Sequence, residues 1–150
     1  MTSLLKAERI NLDLESKKKP DVLRELVEMV KTGEEAGQLY DRLMEREDLG
    51  STGIGRGIAI PHSRSLLVNK LELAIGRSAK GVAFDTIDKK PAHLFFLIVA
   101  PPQDPGNQYL MTLGRVALVC QGLARNKLYM NPATPADMIQ LIKEAEEKIR

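Results

Sequence analysis

Cysteine is nearly missing. Cys120 is the only one in 150 residues, so no disulfide within the chain can staple the fold. Stability must come from a packed core, which a chain of this length can bury as one domain, and a reducing cytoplasmic setting is the simple expectation. Cys120 lies in an apolar helical pattern with no histidine near it in sequence, and it is read as a core residue. A charge excess of one sign is missing too. The formal net charge is +2, too weak a bias for a nucleic-acid surface. The short run Lys17-Lys18-Lys19 sits ahead of an expected helix and is read as solvated surface. Long hydrophobic runs are also absent: the longest, Leu94 to Pro102, is far too short to cross a bilayer. The first ten residues carry Lys6, Glu8 and Arg9 where a secretory leader needs an unbroken apolar stretch. Neither export nor direct membrane insertion is expected.

What is present is clear periodicity. Ile10, Leu12 and Leu14 alternate as a short strand does. Pro20 suits a first helical turn, and Val22, Leu23, Leu26, Val27 and Val30 follow at helical spacing up to Gly33. A second helix is expected from about Glu34, with Ala36, Leu39, Tyr40, Leu43 and Met44 inward. Gly50 to Gly57 breaks the pattern before a short apolar strand, Ile58-Ala59-Ile60. Leu71, Leu73 and Ile75 alternate as another strand, Phe84 and Ile87 anchor a loop, and Leu94 to Val99 reads as a central buried strand. After a loop holding Pro101, Pro102, Pro105 and Gly106, a long amphipathic helix runs from Leu110 to Leu123. Thr134-Pro135-Ala136-Asp137 is a helix start, with threonine as the cap and proline in the first turn. Strand, two helices, three strands and two or three helices give helices covering a sheet. No linker or repeat divides residues 1–150, so one domain is expected.

Histidine is scarce as well, with two in the chain. His93 opens the strongest hydrophobic strand and is read as structural. His62 follows Pro61 at the end of a short strand, after the glycine-rich stretch from Ser51. Its alternating glycines permit tight turns and leave backbone amides bare, a geometry that can face an anion. A P-loop needs Lys and Ser/Thr after its last glycine, where Ile58-Ala59 stand here. A dinucleotide fingerprint wants glycine at Ile58. No His/Cys/Asp/Glu cluster has zinc spacing, so neither metal nor cofactor is expected. Asp104, in the proline-rich loop, is a candidate partner for a histidine.

The stretch Ser51-Thr52-Gly53-Ile54-Gly55-Arg56-Gly57-Ile58-Ala59-Ile60-Pro61-His62 resembles the signature of the enzyme IIA domains of the bacterial phosphoenolpyruvate-dependent sugar phosphotransferase system. The similarity is to the fructose/mannitol type, with its nitrogen-related regulatory members. Gly81 to Asp85 and Pro91 to Leu97 extend it over nearly the whole chain. The resemblance implies a three-layer α/β/α domain with a small mixed sheet flanked by helices. It also implies a phosphotransferase-type carrier that forms a covalent phosphohistidine on His62 and depends on partner proteins. The donor would be a histidine phosphocarrier protein, and a IIB domain or a regulated kinase or transporter would stand downstream. With no IIB or IIC segment in the sequence, either sugar uptake or nitrogen and metabolic regulation fits, and the lack of a sugar-specific feature favours regulation. A neutral imidazole is a good nucleophile near pH 7, and its transition state needs donors on the phosphoryl oxygens. Gly55, Arg56, Gly57, Ser63 and Arg64 are the candidate phosphate-binding residues, with Arg64 the preferred cation.

One position departs from that family. Its second histidine, early in the helix after the proline-containing loop, falls on Tyr109 here. A tyrosine hydroxyl can donate a hydrogen bond to a phosphoryl oxygen but cannot become a cation at neutral pH. The alternative expectation is therefore a regulatory docking module, weakly phosphorylated or not phosphorylated at all.

Overall fold

The computed structural model describes residues 1–149; Arg150, the last residue of the expected domain, lies outside them. Six strands and four α-helices follow in chain order: β1 (Ile10–Asn11), α1 (Lys19–Glu28), α2 (Gly33–Asp48), β2 (Gly53–Gly55), β3 (Ile58–Ala59), β4 (His62–Arg64), β5 (Glu72–Val82), β6 (Ala92–Ala100), α3 (Gln108–Ala124) and α4 (Pro135–Glu147). The sheet is mixed, in the order β1-β5-β6-β3-β2, with β4 also on β6. It is a three-layer α/β/α arrangement, as expected.

The continuous apolar run puts β6 at the centre, because only a strand covered on both faces can bury every side chain. Its alternate residues feed two cores. Leu94, Phe96 and Ile98 join Val116, Cys120, Leu123, Met138 and Ile142 under α3 and α4. Phe95, Leu97 and Val99 join Val22, Leu26, Leu39 and Leu43 under α1 and α2. Burial pushes the Cys120 thiol far up, so it is inert packing, as read. Thr134 caps α4, its hydroxyl accepting from the Asp137 N–H at 3.1 Å.

Three local expectations change. The glycine-rich stretch is not only a connector, because Gly53–Gly55 forms an edge strand antiparallel to β3. Ile87 is 81% exposed and anchors nothing, unlike the buried Phe84. Lys19 is not solvated surface, since its ammonium pairs with the buried Glu47 at 2.9 Å and lies 4.6 Å from the centre of the Phe84 ring.

One feature of the sheet positions the site. Ile58 pairs with Leu94 and Ala59 with Phe95; beyond Pro61, His62 pairs with Ile98 in the same register. β3 and β4 are thus one extended course along β6. It is broken as a ladder only because proline carries no N–H; the Pro61 carbonyl still accepts from Ile98 N at 3.0 Å.

Candidate functional site

Strand alternation assembles the site. Side chains two apart share a face, so His62 and Arg64 leave β4 on the face of Ile58 and Ile60, toward the core under α3. The first turn of α3 brings Tyr109 to meet them. The His62 and Tyr109 rings meet edge-on, centroids 6.1 Å apart at 61°. The Arg64 guanidinium lies 4.7 Å from the Tyr109 ring centre, a cation–π distance, and donates to the Pro101 carbonyl at 3.1 Å.

The imidazole is oriented by its own strand. His62 Nδ1 stands 2.7 Å from the Ile60 carbonyl oxygen. A carbonyl only accepts, so Nδ1 carries the hydrogen and Nε2 keeps its lone pair. Burial lowers the His62 pKa from its ordinary 6.5. The Ile60 carbonyl opposes that shift, Arg46 reinforces it, and Glu47 opposes it. The ring is accordingly neutral at pH 7. Burial raises the Tyr109 pKa, against the opposing charges of Arg64 and Arg46, which leaves a protonated hydroxyl able to donate.

Asp104 does not pair with a histidine. Its carboxylate accepts from the N–H groups of Gln108 at 2.9 Å and Tyr109 at 2.8 Å, which satisfies two orphan donors of α3 and fixes where Tyr109 stands. Ser63 leaves β4 on the opposite face, buried, its hydroxyl donating to the Arg64 carbonyl at 2.9 Å; its side chain is therefore withdrawn from the phosphate-binding set. Gly55, Arg56 and Gly57 are withdrawn as well. They form the β2–β3 turn, with φ of 87°, 57° and 84°, and the Arg56 N–H donates to Asp88 Oδ2 at 2.9 Å. With about 3.3 Å of rise per residue, the extended course puts Gly57 roughly 15 Å from His62. The glycines serve the turn, not the histidine.

Two site residues escaped the sequence reading. Arg46 and Glu47 end α2, and both act on the charge state of His62. The side chain of Glu47, 2% exposed, accepts from Thr52 N at 3.1 Å and from the Thr52 hydroxyl; the Thr52 carbonyl in turn accepts from Ile60 N at 3.0 Å. Glu47 thereby braces the strand that carries the His62 acceptor. The signal was available, since Glu47 follows Leu39 and Leu43 at intervals of four on the buried stripe of α2.

A neutral histidine with one bare nitrogen stands edge-on to a phenol whose ring the Arg64 guanidinium covers, an arrangement that can accept a transferred group. The sequence places it further: residues 3–145 match the family described as "Phosphoenolpyruvate-dependent sugar phosphotransferase system, EIIA 2", and the chain belongs to that family. It is 34% identical to the fructose-specific EIIABC component of Bacillus subtilis over 98% of this chain and 24% of that protein. It is 32% identical to a nitrogen regulatory protein of Bradyrhizobium diazoefficiens over 78% of this chain and 77% of the relative. The chain thus spans about a quarter of the first relative's length and most of the second's. Among solved structures, the nitrogen regulatory protein IIA-Ntr of Neisseria meningitidis superposes with a TM-score of 0.85 at 27% identity, covering 94% of this chain and 97% of that one. IIA mannitol of Escherichia coli shares the fold at 0.73 and 20% identity, over 92% and 98%.

Proposed function

We propose that the protein is a phosphoryl carrier that accepts phosphate on Nε2 of His62 from a histidine phosphocarrier protein and works in regulation rather than in uptake of a particular sugar. The observation that carries this reading is the Nδ1 hydrogen bond to Ile60, which leaves one nucleophilic nitrogen free. The Nε2 lone pair attacks the phosphorus of the donor's phosphohistidine. The donor's N–P bond breaks, and its electron pair returns to the donor ring. Nδ1 keeps its proton throughout, and the positive charge the ring gains faces the Ile60 carbonyl. The Tyr109 hydroxyl and the Arg64 guanidinium are the donors this reading assigns to the transferred oxygens.

Leu110 and Met111, next to Tyr109 in sequence, are 62% and 60% exposed and are apolar side chains available to a docking partner. One solved neighbour is a complex of IIA mannitol with phosphorylated IIB mannitol, which supports a IIB-like acceptor. The regulatory reading rests on the fit to IIA-Ntr over nearly the whole of both chains. A docking module with little phosphorylation is the second reading, and Tyr109 in the second histidine's place favours it.

The test is labelling by phosphoenolpyruvate, enzyme I and the phosphocarrier protein, followed by intact mass. One acid-labile phosphate on the wild type, lost in His62→Ala, is the expected outcome. An unlabelled wild type beside a labelled control IIA overturns the carrier reading and leaves the docking module.

A further inference from the structure

The end of the sheet away from His62 has its own pocket, about 380 Å³ in volume, between the β2–β3 turn, the segment before β6 and the turn after α3. Arg56, Lys90 and Lys127 line it, against one carboxylate, Asp88. That carboxylate is already engaged, accepting from Arg56 N, the Thr86 hydroxyl and Lys90 N. Three cations against one anion leave two positive charges uncompensated. Arg56 and Lys127 are also held in the left-handed region, at φ of 57° and 52°, a conformation long side chains rarely adopt and that persists only where the surroundings impose it.

Two ring groups complete the wall. Tyr129 is 1% exposed, lines the pocket, and its hydroxyl has no hydrogen-bond partner among the described residues. Gly57 makes room for that hydroxyl, since a Cβ there would stand 2.3 Å from it. His93 stacks against Tyr129 at 6.5 Å and 27°. Its Nδ1 lies 2.9 Å from the Ser78 carbonyl and donates to it; in the neutral form of the ring Nε2 is then an acceptor. The Tyr129 phenol, the His93 ring and three exposed cations line one concave site.

We infer that this pocket is a second ligand site, for a small organic phosphate monoester that also bears a free hydroxyl. The dianion matches the uncompensated charge, the Tyr129 hydroxyl donates to a phosphoryl oxygen, and His93 Nε2 accepts from the ligand's hydroxyl. The site stands apart from His62 and does not depend on the carrier reading.

Glycerol 3-phosphate is the probe, followed by amide and histidine-ring NMR of the full chain, with glycerol and with sodium chloride at matched ionic strength as comparisons. The expected result is saturable shifts at Gly57, Lys90, His93 and Lys127, with millimolar affinity or better. His62→Ala keeps them, which separates this site from the carrier site. Arg56→Asn with Lys127→Asn removes two charges while placing a residue tolerant of the left-handed region at both positions, and it weakens binding at least about tenfold. Tyr129→Phe keeps the ring and weakens binding about threefold or more. Shifts that do not saturate, that sodium chloride reproduces, or that survive the double substitution unchanged overturn the proposal.

Discussion

For the carrier function proposed above, Tyr109 and His62 are the residues to test at the level of single side chains. Tyr109→Phe removes one neutral donor without emptying the space, a loss of about 0.5–1.5 kcal/mol. Phosphoryl acceptance should slow roughly three- to tenfold in single-turnover labelling, with folding unchanged. Tyr109→His introduces a group that can carry charge, and it should stabilise phospho-His62 by more than the phenol does, most clearly in acid, when the hydrolysis rate of the phosphoprotein is followed against pH. The pH dependence of the wild type follows from the lowered His62 pKa. The reactive form is the neutral ring, so the acceptance rate should be level above 6.5 and fall as pH drops through the depressed value. Stability runs the same way. Burial makes the folded chain bind the proton less readily than the unfolded chain, so this contribution is complete above 6.5 and is lost as pH falls below it.

At the level of elements, α2 contributes more than cover. Glu47 at its end ties Lys19 of α1 to Thr52 ahead of β2. Glu47→Ala leaves the Thr52 N–H and hydroxyl unpaired and leaves the Lys19 ammonium with the exposed Asp85 carboxylate, 3.9 Å away, in place of a buried partner. Breaking one side of a buried pair costs about 3–5 kcal/mol, and a urea titration should show a loss of that order. Legibility in the sequence followed the same elements. The helices, the buried strand β6 and the Thr134 cap were readable because periodicity and capping are local. β2 and β4 were not, since Gly53-Ile54-Gly55 and His62-Ser63-Arg64 become strands only by pairing with distant residues. His62, Tyr109 and Arg64 were candidates from the sequence, and alternation along β4 together with the first turn of α3 brings them near one another. Gly55 and Gly57, expected at the phosphate, lie instead in the β2–β3 turn, because nearness in sequence along an extended strand is distance in space. Arg46 was missed for the converse reason, since a helix end approaches the site only in the folded chain.

At the level of the whole molecule, two cores share one sheet, and the one under α1 and α2 has no slack beside β5. Gly76 of β5 shows this, since a Cβ there would stand 2.7 Å from Leu14 Cδ1 and 2.9 Å from Leu26 Cδ2. Gly76→Ala should destabilise by about 1–3 kcal/mol through overpacking, read as a lowered melting temperature with labelling of His62 retained at low temperature. The sheet also has an open side where β2 stops short of His62. There the Ile60 carbonyl, on a residue only 3% exposed, has the His62 ring as its one partner among the described residues. Unpaired backbone at a sheet edge is a template for another chain, so the imidazole stoppers that edge in addition to carrying its lone pair. Alanine at position 62 thus does two things at once: it deletes the proposed nucleophile and leaves the Ile60 carbonyl without its side-chain partner.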